Sequence, residues 1–383
     1  MKKVKAAIIG AGFIGKAHIE AVRRLGYVDI VAIGQSGQEK AEKYARELGV
    51  PKAYGNYIDL LRDEEIEVVH NCTPNHLHYE INKQTLLHGK HLLSEKPLTL
   101  TSEEAKELYL LAKQTALITG INFNYRQFPM VQHFKSMVKD HDLGHINLVR
   151  GSYLQDWLLY ETDYNWRMEP EYGGPTRAIS DIGSHLFDLV QYVTQLKIVE
   201  VLADTAIVIP KRYRPTQGTD PSQITNFDGL ELVDVKTEDY CSVLVKFNNG
   251  ARGVFTVSQV SAGKKNALEL HLDGSRASGS WKQEEPFKLL KGYRDRPGET
   301  VLRDPNQVKR EALPFLHYPS GHEEGWTDSL KNMMQHYYQA ILKNETLFDS
   351  VATFRDGYEI MVINDAIIRS VRSGTWEKIE LLP

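Results

Sequence analysis

Cysteine is almost absent from this sequence of 383 residues: Cys72 and Cys241 are the only two, and they lie far apart. This spacing excludes a disulfide scaffold and a metal site built from several thiolates, and it favours a reducing cytoplasm. An excess of charge of one sign is missing too, because Lys+Arg 46 against Asp+Glu 50 gives a net charge of −4. Without a basic surplus or a block of like charges, nucleic acid is not an expected partner.

Long apolar runs are also missing. No run reaches the roughly 18 apolar residues that a membrane span needs. The apolar stretch after Lys2 and Lys3 imitates a secretory signal, but Gly10, Gly12 and Gly15 interrupt it and no small-residue cleavage site follows. The hydrophobic share of 42% and the charged share of 25% are ordinary for a globular protein, and the length predicts about two domains.

Over roughly the first 120 residues, short β-branched runs alternate with amphipathic stretches. This alternation is typical of βαβ units and predicts an α/β domain with a parallel sheet over residues 1–124. The predicted strands are 4–9, 28–33, 68–72, 91–94 and 116–122, and the predicted helices are 13–25, 38–48, 76–87 and 102–113.

After about residue 125 longer strands are separated by hairpin signals, which predicts a second domain over residues 125–383. Asn249-Gly250 is a turn signal between strands at 238–247 and 251–260, and Asp273-Gly274 repeats it between 266–272 and 277–281. With 146–155 and 199–208 these strands are predicted to form one open, mostly antiparallel sheet, covered on one face by helices at 183–194 and 328–343. Segments 211–234 and 292–325 are interpreted as excursions or lids.

The first motif with chemical content is Gly10-Ala11-Gly12-Phe13-Ile14-Gly15, between the first predicted strand and helix. Glycines in this pattern permit a tight turn and close approach of a pyrophosphate, and the N–H groups that begin the helix attract phosphate. A glycine turn without a ligand is the alternative. A carboxylate about 20 residues further on usually binds the ribose of NAD, but Gln35 and Ser36 stand there, with no arginine beside them. NAD and NADP are both open.

Two further motifs lie at the ends of predicted strands. One is Cys72-Thr73-Pro74-Asn75 with His78, and the other is Glu95-Lys96-Pro97. Open α/β sheets bind their ligands at these carboxyl ends. A lysine beside the nicotinamide can hydrogen-bond a substrate hydroxyl and tune its acidity, which makes Lys96 a candidate. The alternative is a solvated surface lysine.

Asp181 and His185 are four residues apart, a spacing that puts both side chains on one face of a helix. A histidine, whose unperturbed pKa is about 6.5, is suited to proton transfer when a carboxylate orients its ring. Two alternatives are open: Asp181 as a helix N-cap beside a partly buried histidine, and a metal site completed by Asp188.

Taken in order, these motifs resemble the Gfo/Idh/MocA family of nicotinamide oxidoreductases over nearly the whole chain. The matching pieces are the glycine turn extended to His18, the Cys72 and Glu95 motifs, Asn122-Phe123-Asn124-Tyr125-Arg126, and Gly173-Gly174 leading into Asp181-Ile182-Gly183-Ser184-His185. The resemblance implies a Rossmann domain followed by an α/β domain, with the substrate held between the two. It also implies a homo-oligomer, a dimer or tetramer, assembled through the C-terminal sheet.

The resemblance assigns roles as well. Lys96, Asp181 and His185 match the family's catalytic positions: His185 would accept the proton of the oxidised hydroxyl, Lys96 would assist, and Asp181 would bind and orient the substrate. No metal is expected. The residues expected to bind NAD or NADP are Gly10, Gly12, Phe13, Ile14, Gly15, Gln35, Ser36, Cys72, Thr73, Pro74, Asn75, His78, Glu95, Lys96 and Asn124.

A narrower resemblance concerns Gln155-Asp156-Trp157-Leu158-Leu159, Asp163-Tyr164-Asn165-Trp166-Arg167 and the segment 177–181. This block is similar to sugar dehydrogenases of the levoglucosan dehydrogenase type, which oxidise the C3 hydroxyl of a pyranose. It implies that Tyr125, Gln155, Trp157 and Arg167 bind the substrate together with Lys96, Asp181 and His185. Core packing of an aromatic-rich loop is the alternative.

The expected function is therefore an NAD(P)-dependent oxidoreductase that transfers a hydride between a secondary alcohol of a sugar, glycoside or cyclitol and the nicotinamide. One alternative is a redox-neutral lyase or glycosidase-like enzyme that keeps NAD tightly bound. Another is a dinucleotide-binding regulator without turnover, which would be expected to lack the set of Lys96, Asp181 and His185. The expected partner is a small molecule, with no nucleic acid and no membrane, and the expected compartment is the cytoplasm.

Overall fold

A computed structural model describes residues 3–216 and 229–382, and the chain forms two compact units. The first comprises Met1–Ser136 with Leu302–Met361, and the second comprises Met137–Val301 with Val362–Pro383. Each unit is therefore assembled from two separate stretches of sequence. The predicted domain boundary after residue 124 stays a prediction.

The first unit opens with alternating strands and helices, as predicted. Apolar residues fill its strands on both faces: in the first strand every residue except Lys5 is buried, which suits a parallel sheet covered by helices. The elements are β1 (Val4–Ile9), α1 (Phe13–Arg23), β2 (Val28–Gly34), α2 (Gln38–Leu48), β3 (Lys52–Tyr54), α3 (Tyr57–Arg62), β4 (Val68–Asn71), α4 (His78–Leu87), β5 (His91–Ser94), α5 (Ser102–Lys113), β6 (Thr119–Ile121) and α6 (Pro129–Lys139).

The strands of this unit form a six-stranded sheet in the order β3-β2-β1-β4-β5-β6. The pairs within it are parallel. The order reverses between β1 and β4, the type of crevice where doubly wound sheets bind nucleotides. The predicted parallel α/β sheet is confirmed.

The second unit contains most of the remaining strands, and two long helices come late in the chain. The elements after α6 are β7 (Ile146–Leu154), α7 (Pro170–Gly173), α8 (Ser184–Thr194), β8 (Ile198–Ala206), β9 (Lys211–Pro215), β10 (Leu230–Asp234), β11 (Tyr240–Phe247), β12 (Arg252–Ser258), β13 (Ala267–Gly274), β14 (Ser278–Lys282), β15 (Lys288–Gly292), β16 (Glu299–Leu302), α9 (Trp326–Lys343), α10 (Phe354–Ser373) and β17 (Glu377–Lys378).

Within the described residues, nine strands form one sheet in the order β16-β15-β14-β13-β7-β12-β11-β8-β17. β7 and β12 are paired in parallel, whereas β11 is antiparallel to both β8 and β12. The predicted mostly antiparallel sheet is confirmed, and so is the turn at Asn249-Gly250, where Gly250 has a φ of 90°. The hairpin predicted between 266–272 and 277–281 is confirmed by the antiparallel pairing of β13 with β14, but its turn is displaced from Asp273-Gly274, because β13 continues through Gly274 and pairs Asp273 with Ser278.

Helix α9 does not cover the nine-stranded sheet, so that prediction is wrong. Its residues Met333 and Tyr337 share a core cluster with Ile8 of β1 and Val22 of α1. α9 therefore belongs to the first unit and closes one side of the parallel sheet.

The two predicted excursions contain structure of their own. Segment 211–234 holds β9 and β10, which pair as a two-stranded antiparallel sheet, while its residues 217–228 lie outside the described ones. Segment 292–325 holds β16 and a 3-10 helix at Arg310–Phe315. None of the helices in the described residues is long and apolar enough to span a membrane.

Candidate active site

The glycines in the turn between β1 and α1 have two different roles: two of them allow close backbone packing, and one leaves open space. Gly10 has a φ of 90°, and a Cβ there would lie 2.6 Å from the carbonyl oxygen of Cys72; a Cβ on Gly15 would lie 2.2 Å from the carbonyl oxygen of Gly10. Both glycines are needed for the backbone to pack against itself. A Cβ on Gly12 meets nothing within 4 Å, so the space above that residue is open.

The start of α1 is suited to an anion. Gly12 caps the helix without a side-chain hydrogen bond, and no acidic residue lies in the first turn. Phe13 is 82% exposed and its ring stacks on Trp326 at a centroid distance of 6.1 Å, whereas Ile14 packs into the core. Open space beside free helix N–H groups fits the pyrophosphate of a dinucleotide.

The turn after β2 carries the residues predicted to bind the ribose. Gln35 is half-buried and Ser36 is exposed. The backbone N–H of Gln35 donates to the carbonyl of Tyr54 at 3.0 Å, which fixes the main chain at the start of the turn. Neither side chain carries a charge.

The two strand-end motifs are joined by one histidine. His78 Nδ1 lies 2.6 Å from the carbonyl oxygen of Pro97, and its Nε2 lies 2.8 Å from the carbonyl oxygen of Thr73. Burial lowers the pKa of His78, while the two carbonyls act in the opposite direction. The ring ties the loop after β4 to the loop after β5, where the half-buried Lys96 precedes a cis bond to Pro97.

Glu95, predicted as a cofactor ligand, has a carboxylate that is occupied inside the protein. Its Oε1 lies 2.9 Å from His18 Nε2 and accepts from Asn122 Nδ2 at 2.5 Å, and its Oε2 accepts from the backbone N–H of Lys96 at 3.2 Å. Asn122 begins a motif noted in the sequence but received no role there; in the structure it directly follows β6, as Glu95 follows β5.

Asn124 and Tyr125 lie on a 3-10 turn of the first unit, Asn124–Gln127. The side chain of Asn124 donates to Ser329 Oγ at 2.8 Å. The ring of Tyr125 is buried and stacks on Phe128 at 6.0 Å, the packing that the alternative interpretation described. A sugar-binding role for Tyr125 stays a prediction.

In the second unit, Asp181 lies in a π-helical turn at Ile179–Gly183 that leads directly into α8. The Asp181 carboxylate is 3.3 Å from Arg167 Nε and accepts from Gln259 Nε2 at 2.9 Å. The helical turn already runs through Asp181, so Asp181 is not an N-cap, and that alternative is wrong. π-helical turns within helices are frequent at functional sites because they re-aim side chains.

His185 follows on the first turn of α8 and is 8% exposed. Its ring centroid lies 6.4 Å from that of Tyr153. Tyr153 donates to Asn266 Oδ1 at 2.6 Å, Gln155 Nε2 donates to the same oxygen at 2.9 Å, and Trp157 Nε1 donates to Gln155 Oε1 at 2.8 Å. The predicted Gln155 and Trp157 are therefore in direct contact, and Asn266, which sequence reasoning missed, joins Gln155 to Tyr153.

These residues share one edge of the nine-stranded sheet. Leu154 at the end of β7 pairs with Ser258 at the end of β12 and with Ala267 at the start of β13. Gln155, Gln259 and Asn266 are the neighbours of these paired residues, so three polar side chains are placed next to each other. Gln259 was missed although, like Gln155, it directly follows a strand.

A fully buried ion cluster holds the start of the Asp181 turn. Asp239 pairs with both Arg177 and Arg212, and all three side chains are inaccessible to solvent. Arg212 also donates to the carbonyls of Leu158 and Tyr160, each at 2.7 Å, which fixes the loop that follows Trp157. Within residues 3–216 and 229–382, no group of three or more His, Cys, Asp or Glu side chains could hold a metal ion.

Glu238 caps the same turn. Its Oε1 accepts the backbone N–H groups of Arg177 and Ile179, both at 2.9 Å. Burial raises the pKa of Glu238 to about 7, outweighing these hydrogen bonds and the charge of Arg177, which lower it. Glu238 was not identified from the sequence.

Replacing Glu238 with glutamine is expected to flatten the dependence of stability on pH. Between the ordinary value of 4.5 and about 7, folded Glu238 keeps a proton that the unfolded chain has lost, so the free energy of unfolding falls as the pH rises. The loss is at most about 3 kcal/mol by pH 8. Glutamine keeps the acceptor for both N–H groups and cannot ionise. Thermal midpoints of both proteins from pH 5 to 8 measure the difference, and parallel curves would contradict this pKa.

The comparisons with known proteins agree with this geometry. Residues 4–123 match the oxidoreductase family with an NAD-binding Rossmann fold, and residues 131–279 match the GFO/IDH/MocA C-terminal domain. The chain belongs to the Gfo/Idh/MocA family, and its first unit carries an NAD-binding Rossmann domain. The resemblance seen in the motifs is confirmed.

Among its relatives is the levoglucosan dehydrogenase of Pseudarthrobacter phenanthrenivorans, 29% identical and matched over 98% of each chain. The glucose-6-phosphate 3-dehydrogenase of Bacillus subtilis is 24% identical over 94% of this chain and 93% of its own. A solved structure of levoglucosan dehydrogenase in complex with NADH and L-sorbose superposes with a TM-score of 0.88 at 26% identity, covering 100% of both chains.

Proposed function

We propose that this protein is an NAD-dependent dehydrogenase that oxidises a secondary hydroxyl of a sugar, glycoside or cyclitol. The observation that carries the proposal is the set of polar side chains around Asp181. Its carboxylate is held by Arg167 and Gln259 next to a strand edge where Gln155 and Trp157 offer an amide and a half-exposed indole. Hydroxyl groups are bound by such amides and carboxylates, and sugar faces stack on aromatic rings.

Each residue has a defined task in this proposal. His185 accepts the proton of the substrate hydroxyl, and Asp181 binds a hydroxyl and orients the sugar. Lys96 donates a hydrogen bond to the reacting oxygen, which favours loss of the proton from the substrate hydroxyl. When bound, the nicotinamide accepts the hydride that leaves the carbon bearing the reacting hydroxyl. The glycine turn and the start of α1 hold the pyrophosphate.

NAD is the proposed cofactor. A 2′-phosphate is usually met by an arginine, and neither Gln35 nor Ser36 provides a charge. The solved levoglucosan dehydrogenase was captured with NADH. Both observations support NAD over NADP.

The proposed assembly is a homo-oligomer that forms through the nine-stranded sheet. Leu244 and Val254 are cross-strand partners, so they lie on the same face of the sheet, and both are at least 40% exposed. Neighbouring apolar side chains left exposed on a sheet are typical of an interface. The proposed compartment is the cytoplasm, where the two cysteines, both free and buried, stay reduced.

A spectroscopic screen tests the function. The protein is mixed with NAD or NADP and, in separate wells, with glucose, levoglucosan, simple glycosides and inositols, and absorbance at about 340 nm is followed. Reduced NAD accumulating with a sugar is the expected result. Absence of reduction in every well, with NAD retained by the purified protein, would favour the redox-neutral lyase or glycosidase instead. Absence of turnover of any kind would favour a regulator.

Replacing Trp157 with alanine is expected to raise the KM for the sugar about tenfold while the KM for NAD changes less than about twofold. Trp157 is 37% exposed, so part of its side chain is accessible to a ligand. Trp157→Phe is the matched control: it keeps the aromatic face and removes only the bond to Gln155. Equal rises in both KM values for the alanine variant would contradict sugar stacking.

A further inference from the structure

A chain of buried polar side chains lies under the carboxyl ends of β4, β5 and β6. His18 Nε2 is 2.9 Å from Glu95 Oε1, His18 Nδ1 is 3.0 Å from His70 Nδ1, and His70 Nε2 is 2.7 Å from the hydroxyl of Tyr338. His18, His70 and Tyr338 are completely buried. Burying a polar group without a hydrogen bond is costly, so each of these side chains needs its hydrogen-bond partners.

Burial and the neighbouring groups decide the charges of His70 and Glu95. Burial and the nearby His18 hold the pKa of His70 well below its usual value, so His70 is neutral and carries one ring proton. Burial alone would raise the pKa of Glu95, but hydrogen bonds from His18 and Asn122 and the charges of His18 and Lys96 lower it. Glu95 is therefore an ionised carboxylate that is 6% exposed.

The two oxygens of Glu95 have different partners. Oε1 is anchored by His18 and Asn122, whereas Oε2 accepts the backbone N–H of Lys96 at 3.2 Å. The anchored carboxylate thus holds the main chain of the residue to which the proposed function gives a hydrogen bond to substrate. A lysine side chain is long and loses much rotational freedom when it is placed, so a fixed main chain narrows the positions that its ammonium can reach.

We propose that Glu95 is a positioning residue: anchored by His18 and Asn122, it fixes the main chain of Lys96 so that the ammonium meets the reacting oxygen. The inference rests on the proposed function for the role of Lys96. It assigns the Glu95 carboxylate to the protein's own backbone, instead of to the dinucleotide.

Hydrogen exchange tests the contact without substrate or cofactor. In Glu95→Gln the amide oxygen stays with its two donors, His18 and Asn122, which turns an NH₂ group toward Lys96, and this group cannot accept its N–H. The exchange of the Lys96 amide is expected to accelerate about tenfold. Because Pro97 has no amide hydrogen and the first two residues of a proteolytic peptide lose their label, a peptide covering residues 93–97 reports only on Glu95 and Lys96. His336→Gln, which alters another buried imidazole of the same unit that is not hydrogen-bonded to His18, His70, Glu95 or Tyr338, is expected to leave that exchange unchanged.

Kinetics separate positioning from cofactor binding. Glu95→Gln is expected to lower kcat about thirtyfold, with the KM for NAD within about threefold of the parent. In a Lys96→Ala background, the same change is expected to cause no further loss. A rise in the KM for NAD that matches the fall in kcat would make Glu95 a cofactor ligand. An equal fall in kcat in both backgrounds would make its role merely structural, and either result would overturn the proposal.

A second pair of variants guards against misfolding of Glu95→Gln. His18→Gln keeps an N–H donor for Glu95 and is expected to retain the slow exchange of the Lys96 amide, whereas His18→Ala removes the donor and is expected to lose it. Identical exchange in the two variants would overturn the proposal. If the parent protein oxidises no sugar, the proposed function fails, while the exchange data still decide whether Glu95 holds Lys96.

Discussion

Alanine in place of Lys96 is expected to lower kcat about a thousandfold while the dissociation constant for NAD stays within about tenfold of the parent value. The reason is a division of labour between residues. In the proposed function, dinucleotide binding draws on the glycine turn and the start of α1, whereas Lys96 acts on the reacting oxygen, where charge develops only during the reaction. Steady-state kinetics with the sugar found in the screen, and a fluorescence titration with NADH, measure the two quantities.

Two further variants are compared with Lys96→Ala. Lys83→Ala removes a lysine that pairs with Glu107 on the helix surface and is expected to leave kcat unchanged. His185→Ala, which removes the proposed base in the second unit, is expected to lower kcat as strongly as Lys96→Ala, again with NAD binding retained. Loss of NAD binding in either active-site variant would show that a structural residue had been mistaken for a catalytic one.

Valine at Gly12 is expected to weaken NAD binding about a hundredfold without a change in thermal midpoint. Gly12 has a φ of −70° and a ψ of −159°, angles open to any residue, and its Cβ would meet no atom within 4 Å. A Cβ therefore meets no obstacle from the protein itself. The valine side chain fills the space where a pyrophosphate would approach the backbone, which excludes the ligand.

Gly15→Ala is the contrasting variant. Its Cβ would lie 2.2 Å from the carbonyl oxygen of Gly10, a distance that forces the turn apart. We expect a lower thermal midpoint from this variant, measured by calorimetry, whereas the Gly12 variant melts like the parent. Parent-like NAD binding by Gly12→Val would place the pyrophosphate elsewhere and remove the main support for the turn as its binding site.

Local patterns predicted the first unit closely. The bounds of α2, β5 and α5 coincide with the predicted ranges, because amphipathic periodicity and strand-breaking residues are read over a few neighbouring positions. The turn predicted at Asp273-Gly274 is displaced for a reason that is not local. A Cβ at Gly274 would lie 2.1 Å from the carbonyl oxygen of Leu143, so this glycine permits close approach of another segment, and the turn follows at residues 275–276.

The sequence did not predict which elements pack together when they are far apart along the chain. The pattern of α9 marks an apolar face but not the surface that this face meets, so α9 was assigned to the wrong sheet. α10 was not predicted at all.

The candidate site likewise contains residues that lie in local motifs and residues whose partners are distant in sequence. Lys96, Asp181 and His185 were predicted from motifs, and their roles stay predictions. Gln259, 78 positions from its partner Asp181, and Tyr338, 268 positions from His70, emerge only once the chain is folded.

The discontinuous units also set an order of events during synthesis. β1 and α1 leave the ribosome first, but Met333 and Tyr337, which cover them, follow about 300 residues later. At ordinary elongation rates this gap lasts about 15 to 60 s, during which the nascent chain carries an open apolar face that chaperones can recognise. The second unit waits as well, since its closing stretch after residue 361 is the last to be made. Both cores are thus completed at nearly the same moment, as translation ends.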